Sequence, residues 1–332
     1  MRLRSLALGL LLAAVAPVAA HAGTYEPPAG KVFAGVSGGG SVASFDAQAG
    51  KHAAVLQSFA AWDSTGTGYL TAARRARARA MIHISTKGMN GREAITPGAL
   101  AAGRGDAHLL YLNQTMAASG QIVYVRLMAE MNGSWNPYSA YDANGTPRGG
   151  AHSTTSFRKA WQRVVLVLRG GPVQAIDARL RRLGMPPVAE AAGLLPQPKV
   201  SFLWVPEVWG DPNVPGNSAR AYWPGAAFVD WVGTDFYSKF PNYRGLNALY
   251  QEFRGKPFAF GEWALWGHDD PRFVRGLFGW IKAHRDVRMV MYNQGSNPSE
   301  SPFELSRYPR SAAALRRELA SPLFAPLAPE FS

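Results

Sequence analysis

The chain has 332 residues, of which 47% are hydrophobic and 17% charged, and its formal net charge is +13. This length and hydrophobic content allow a large buried core, and the composition is not that of a disordered chain. The absence of cysteine excludes disulfides, zinc–thiolate sites and cysteine nucleophiles, while the positive charge favours anionic partners.

The first 22 residues have the pattern of a secretory signal peptide. Two arginines precede an apolar run over residues 6–18, and an Ala-His-Ala cleavage site ends at residue 22. The run is too short to cross a membrane as a helix. We therefore predict a signal peptide over 1–22 and one catalytic domain over 23–332. We expect that domain to be secreted or periplasmic, monomeric and free of the membrane after cleavage.

Eight apolar runs alternate with helical patterns along the rest of the chain. Their apolar residues are continuous, which is typical of parallel strands buried on both faces. The predicted strands are 32–36, 54–59, 80–84, 122–128, 200–205, 228–233, 257–261 and 287–291. Helices are predicted at 96–116, 153–168, 271–284 and 311–319. Eight such alternations predict an α/β fold, a (β/α)8 TIM barrel.

A doubly wound open sheet is the alternative fold, and it would carry a glycine-rich phosphate turn after the first strand. The run Gly35-Val-Ser-Gly-Gly-Gly lacks the required spacing, so we expect no nucleotide cofactor. The basic run over residues 74–79 favours a solvated helix face, since no nucleic-acid-binding motif accompanies it. No metal-spaced histidine motif is present, and we predict neither a metal nor another cofactor.

Two predicted strands stop at a glutamate that aromatic residues follow. Glu130 follows the fourth strand and Glu262 the seventh. The carboxyl ends of barrel strands meet on one face, so we expect the two carboxylates to lie close together. Two carboxylates about 5 Å apart are what a retaining glycosidase needs. Glu207, beyond Pro206 at the end of the fifth strand, is the main competitor, although this position favours a role in the loop.

Other residues near these strand ends suit sugar binding. Arg126 lies four residues before Glu130 and would face inward, where it could pair with a carboxylate. Asn132 could bind a sugar hydroxyl or could only shape the loop, and His268 could contact a neighbouring part of the substrate. Indole rings stack on the apolar faces of sugars. The tryptophans at or just beyond predicted strand ends are Trp135, Trp204, Trp209, Trp263 and Trp266.

At these segments the sequence resembles glycoside hydrolase family 26. The family's acid/base run, R-x-x-H-E-M-N-G-x-W, is matched by residues 126–135, and its nucleophile run, K-P-x-x-x-x-E, by residues 256–262. Residues 229–237 resemble its sixth-strand run, whose tyrosine lies near the nucleophile. The resemblance implies a retaining enzyme with Glu130 as acid/base and Glu262 as nucleophile. Tyr237 would then donate a hydrogen bond to Glu262.

One position departs from the family pattern. The family has a histidine before the acid/base, which contacts the substrate or the nucleophile, and this chain has Ala129. The resemblance therefore implies a divergent endo-acting β-glycosidase, with a β-mannan as the substrate by analogy. A β-1,3-xylan and a mixed-linkage glucan are further candidates. Two alternatives stay open: a barrel that binds carbohydrate without catalysis, and a hydrolase of an acidic exopolysaccharide, which the basic charge favours.

Overall fold

The computed structural model describes residues 23–38, 42–295 and 301–332. The predicted signal peptide lies outside these residues. Eight parallel strands form a closed barrel, because β1 pairs with both β2 and β8. The strands follow the chain order around the barrel: β1 Val32–Ser37, β2 Val55–Ala60, β3 Arg79–Ile84, β4 Val123–Leu127, β5 Val200–Trp204, β6 Trp231–Tyr237, β7 Phe258–Ala264 and β8 Val287–Asn293.

Helices cover the outside of the barrel. They are α1 Val42–Ala49, α2 Thr67–Arg75, α3 Pro97–Ala101, α4 Asp106–Ser119, α5 Thr154–Arg169, α6 Val173–Arg182, α7 Tyr243–Glu252, α8 Pro271–Ala283 and α9 Pro309–Leu319. Short 3₁₀ turns lie at Gly150–His152, Pro215–Asn217, Ala219–Tyr222, Ala226–Phe228, Leu305–Arg307 and Pro329–Phe331. Two-residue strands are Gly171–Pro172, Leu194–Leu195 and Phe324–Ala325. Within the described residues, no helix is long and apolar enough to cross a membrane.

The predicted fold class is confirmed, and each predicted strand overlaps one strand of the barrel. Two boundaries are corrected. The sixth strand begins at Trp231 rather than 228, because Ala226–Phe228 form a 3₁₀ turn. The helix predicted over 96–116 is two helices, since the chain turns at Gly103, whose φ of +88° favours glycine.

The barrel strands bury both faces, in two separate apolar clusters. On β4, Val123 and Val125 point outward toward the helices, and Tyr124 points into the barrel. On β6, Trp231 points inward and Val232 outward. Because side chains alternate along a strand, the inward positions that follow are Arg126 on β4 and, beyond Gly233, Asp235 on β6. Polar groups thus replace the apolar interior at the carboxyl end of the barrel.

β7 carries a β-bulge at Gly261–Glu262. Phe260 and Glu262, two residues apart on β7, pair with the adjacent residues Thr234 and Asp235 of β6. On the other side, Phe260 and Trp263, three residues apart, pair with Val290 and Tyr292 of β8, which are two apart. Ala259 faces inward, so regular alternation would turn Glu262 outward and Trp263 inward. The extra residue reverses this. A side chain at 261 would begin 2.9 Å from an Asp235 carboxylate oxygen, so glycine suits this position.

Candidate active site

A strained turn places Glu130 over the mouth of the barrel. Met128 and Glu130 have φ angles of 40° and 53°, in the left-handed region that residues with a side chain rarely adopt. The Glu130 amide donates to the Val205 carbonyl at 2.7 Å, which ties this turn to the end of β5. The carboxylate is half-buried, and its Oε2 accepts a hydrogen bond from the Trp135 indole at 2.7 Å.

Glu262 lies on the inner face of β7, and its carboxylate receives hydrogen bonds from four side chains. The donors are Arg126 at 2.8 Å, Tyr237 at 2.6 Å, Gln57 at 3.1 Å and Asn293 at 2.8 Å. Burial is the largest effect on Glu262 and raises its pKa, and the charge of Glu130 also raises it. The charge of Arg126 and the hydrogen bonds from Tyr237 and Gln57 lower it. The net shift is upward. The four donors hold one orientation of the carboxylate and favour its ionised form.

Arg126 is the cation at the centre of this site. Its guanidinium is 1% exposed, forms ion pairs with Glu262 and Asp235, and lies 2.5 Å from His83 Nδ1. Burial acts to lower the pKa of Arg126, but the charges of Asp235 and Glu262 act in the opposite direction and outweigh it, so the net shift is upward. The pKa of His83 is lowered by burial and by Arg126, so this imidazole is neutral and accepts at Nδ1. The predicted inward pairing of Arg126 is thus observed.

Sequence reasoning missed Asp235 as a site residue. It is 2% exposed, and burial raises its pKa against the effect of Arg126. The signal was present in the alternation of β6, where Asp235 stands two residues before Tyr237 on the inner face. Tyr237 donates to Glu262, as expected, and burial followed by the charge of Glu262 raises the pKa of its hydroxyl.

Three carboxylates meet here. One oxygen from each of Glu130, Asp235 and Glu262 lies within 4.8 Å of the other two. This separation of Glu130 and Glu262 fits a retaining glycosidase, since an inverting enzyme needs about 6.5–9.5 Å for a water molecule. Oxygens at this spacing could also surround a cation, but the Arg126 guanidinium already contacts two of the three carboxylates. The catalytic roles of the two glutamates stay predictions.

Two cavities of about 430 Å³ each share Glu130 and Phe303 among their lining residues, and we refer to the two cavities together as the groove. The first is rich in aromatic side chains; the exposed indole of Trp135 and the half-buried ring of Trp266 both line it. Its other lining residues include Glu207, Trp209, Asp211, Tyr237, Phe240 and Phe303. The second contains Phe59, His83, Arg126, Glu262 and Asn293. Trp135 and Trp266 therefore lie where a bound sugar would contact them.

Two of the predicted stacking residues do not reach the groove. Trp204 is fully buried outside the barrel, edge-on to Trp223 and Phe253. Trp263 is 1% exposed and packs edge-on to Tyr292. The expectation that these two tryptophans bind sugar is corrected: alternation turns Trp204 outward, and the bulge turns Trp263 outward.

Asn132 and His268 also differ from expectation. Asn132 is fully buried, and its amide nitrogen donates to the Glu207 and Trp209 carbonyls at 3.0 and 3.2 Å. Its carbonyl accepts from the Glu207 amide at 2.9 Å. The side chain therefore pins the loop after β5 rather than binding a sugar hydroxyl. His268 is exposed, beyond β7, and is not among the described residues that line the two cavities.

Solved structures of similar shape include several mannanases. The GH26A protein of a Muricauda species is 15% identical, with a TM-score of 0.58 over 90% of this chain and 92% of that one. A Bacillus subtilis mannanase is 16% identical, with a TM-score of 0.53 over 88% and 86%. A modular endo-β-1,4-mannanase from Cellulomonas fimi, a family 26 enzyme, is 16% identical, with a TM-score of 0.58 over 90% and 72%.

The chain has the fold of the family 26 glycoside hydrolases. The predicted resemblance to this family is confirmed at the level of the fold. No protein-family model matches the sequence, and no curated protein does.

Ala129, which stands where the family 26 pattern has a histidine, lies inside the barrel next to Glu130. Ala129 is fully buried among apolar residues inside the barrel, and its carbonyl accepts from the Tyr138 hydroxyl at 2.6 Å. The position of the family histidine is thus occupied by a methyl group that has no hydrogen-bonding capacity. Neither carboxylate depends on it, since the contacts to Glu130 and Glu262 come from other residues.

Proposed function

We propose that the chain is a divergent member of glycoside hydrolase family 26, a retaining endo-β-glycosidase that cleaves a polysaccharide by double displacement. The supporting observation is the approach of Glu130 and Glu262 oxygens to within 4.8 Å across an open, aromatic groove.

In the first step, Glu262 attacks the anomeric carbon while Glu130 gives its proton to the leaving oxygen. In the second, Glu130 takes a proton from water, whose oxygen displaces Glu262, so the anomeric configuration is retained. The donors around Glu262 suit a carboxylate that must be ionised to attack. Glu130, which is half-buried and faces both cavities, is placed to reach a glycosidic oxygen.

The charge of the aromatic cavity favours a neutral polysaccharide such as a β-mannan. Glu130, Glu207, Asp211 and Asp235 contribute to the aromatic cavity, and no basic side chain is among the described residues that line it. A uronic acid there would meet like charges. The net charge of +13 favours the acidic exopolysaccharide, which is the second candidate, but that charge would act outside the groove.

The deciding experiment measures reducing ends released from a panel of neutral and acidic polysaccharides. We expect Glu130→Gln to lower kcat by about 10²–10⁴-fold, the usual contribution of a general acid/base. Glu262→Gln should remove activity because no covalent intermediate can form. Glu318→Gln, a surface substitution in an ion pair with Lys282, is the matched control and should behave as wild type.

Two outcomes would contradict the proposal. Substantial activity in Glu262→Gln would remove the nucleophile from its assigned role. Sugar binding with no hydrolysis by wild type, on any member of the panel, would support the carbohydrate-binding barrel, which the loss of the family histidine at Ala129 favours. Product analysis by NMR, early in the reaction, tests retention of configuration.

We infer further that this enzyme is exported and acts as a monomer. The amino-terminal pattern supports export, and mass spectrometry of the mature protein should find residue 23 at its amino terminus.

A further inference from the structure

Glu207 lies beside Glu130 at the mouth of the barrel, and the mechanism above gives it no role. The two side chains share a hydrogen bond, and both line the aromatic cavity. An ionised carboxylate only accepts hydrogen bonds, so a bond between two carboxyl groups requires a proton on one of them. One proton shared by the two carboxyl groups would account for this contact.

The surroundings indicate that Glu207 is the donor of this bond. Glu130 Oε2 already acts as an acceptor, since the Trp135 indole donates to it at 2.7 Å. Among the described residues, no cationic side chain forms an ion pair with Glu207. Burial, then the charge of Glu130, raises the pKa of Glu207 well above its ordinary range. The Asn132 amide holds the Glu207 backbone on both sides, so its position is built into the loop.

Other charged groups face the pair from neighbouring strands. Asp235 also lies close to Glu130, but unlike Glu207 it forms an ion pair with Arg126. The remaining titratable groups that act on the two side chains or line the same cavities are His83, Tyr138, Asp211, Tyr237 and Glu262. Arg126 is a cation that also acts on both side chains, and it already contacts two carboxylates.

We propose that Glu207 is a positioning residue that shares a proton with Glu130, so that the pair acts as the acid and base. This rests on the proposed glycosidase function. In the first step, the proton of the pair goes to the glycosidic oxygen as the C–O bond breaks, and both carboxyls are left ionised. In the second step, water gives its oxygen to the anomeric carbon and its proton to the pair, which is restored.

The pair has a predicted signature in the pH dependence of kcat/KM. Loss of the shared proton puts two negative charges side by side, so the pair keeps it to a higher pH than a single carboxyl would. Because the first step needs this proton, kcat/KM falls above that pH. In Glu207→Gln the neighbour is neutral at every pH, so the repulsion between two negative charges that retains the proton is absent. The alkaline limb should therefore move to lower pH, by about one unit or more.

The experiment compares wild type with Glu207→Gln and Asp211→Asn. Asp211→Asn removes one carboxylate from the same cavity and is the matched control. We expect its alkaline limb to stay in place while that of Glu207→Gln moves. An infrared pH titration of protein with isotopically labelled glutamate provides a readout without substrate. Wild type should show a neutral glutamate carboxyl near neutral pH, and Glu207→Gln should not.

The outcomes separate this inference from the proposed function. If wild type hydrolyses no polysaccharide, that function fails, and the infrared titration still decides whether Glu207 holds a proton. Persistence of the neutral carboxyl in Glu207→Gln, or an equal movement of the limb in Asp211→Asn, would overturn the inference. Should Glu207→Gln not fold, Glu130→Gln replaces it: without a charged neighbour, the neutral carboxyl should titrate at lower pH, and an unchanged titration refutes the pair.

Discussion

At the scale of single residues, the contrast between Glu130 and Glu262 is a contrast of environments. Glu262 is almost fully buried and accepts hydrogen bonds from four side chains. Glu130 is half-buried and lies close to other carboxyl groups. The donors hold the Glu262 carboxylate in its ionised form. These environments agree with the proposed roles, Glu262 as the nucleophile and Glu130 as a member of the proton-sharing pair.

Tyr237 is the residue that tests this contrast. Its hydrogen bond to Glu262 lowers the pKa of that carboxyl, so Tyr237→Phe should raise it. Since the nucleophile must be ionised, the acidic limb of kcat/KM should move to higher pH. Loss of a hydrogen bond to a charged group, worth about 1.5–3 kcal/mol, predicts a fall in kcat of roughly 10- to 150-fold. Steady-state kinetics over a pH series provide the measurement.

Tyr250→Phe is the control for this substitution. It removes a tyrosine–carboxylate hydrogen bond of 3.1 Å to Asp286, outside the groove. Its pH profile should match that of wild type. An unmoved acidic limb in Tyr237→Phe would show that Tyr237 does not act on the nucleophile.

At the scale of elements, the bulge in β7 decides which side chains face the groove. It brings Glu262 inward and sends Trp263 into the layer between the barrel and α8, where it packs on Phe278. Trp266, beyond the end of the strand, returns to the groove beside Tyr237 and Phe303. Two tryptophans three residues apart thus have different environments, and we expect different consequences when they are replaced.

Trp263→Ala should lower the free energy of unfolding by about 3–5 kcal/mol, because a large buried ring is lost. Trp266→Ala should change unfolding much less and raise KM, because its ring lines the groove. Denaturant titrations and steady-state kinetics on the same preparations measure both quantities. The milder Trp263→Phe keeps an aromatic ring in the core and should leave KM unchanged. A higher KM in Trp263→Phe, or an unaltered KM in Trp266→Ala, would contradict this assignment.

At the scale of the whole molecule, charge is distributed unevenly. The chain carries a formal charge of +13, yet the aromatic cavity is lined by carboxyl groups. A neutral polysaccharide would experience neither field, whereas an acidic one would be attracted to the surface and repelled in the aromatic cavity. The response to salt therefore distinguishes the two substrate classes.

We predict that kcat/KM on a neutral β-mannan stays constant as ionic strength rises from about 0.1 to about 1 M, over which the Debye length falls from about 10 to about 3 Å. Any capture of an acidic polysaccharide should weaken over the same range. Initial rates at subsaturating substrate measure both cases. A steep fall on the neutral substrate would indicate that surface charge contributes to its binding.

Much of this architecture follows from local patterns in the sequence. The eight apolar runs indicated the strands, since continuous apolar character reports burial on both faces. The same patterns predicted that the carboxylates at positions 130 and 262 lie close together, because parallel strands in a barrel bring their carboxyl ends to one face. Strand periodicity also placed Arg126 on the inner face. These predictions needed nothing beyond the period of a strand and the closure of a barrel.

Other features depend on contacts between residues distant in the chain, and only the tertiary structure decided them. The bulge that exchanges the faces of Glu262 and Trp263 arises from pairing with both neighbouring strands. Asn132 turns away from the groove because backbone groups 75 and 77 residues later take up its amide. The pairing of Glu130 with Glu207 likewise joins two different strand ends. Periodicity determines which residues form a strand, but register and hydrogen-bond partners, which determine what each side chain contacts, are set when the strands assemble.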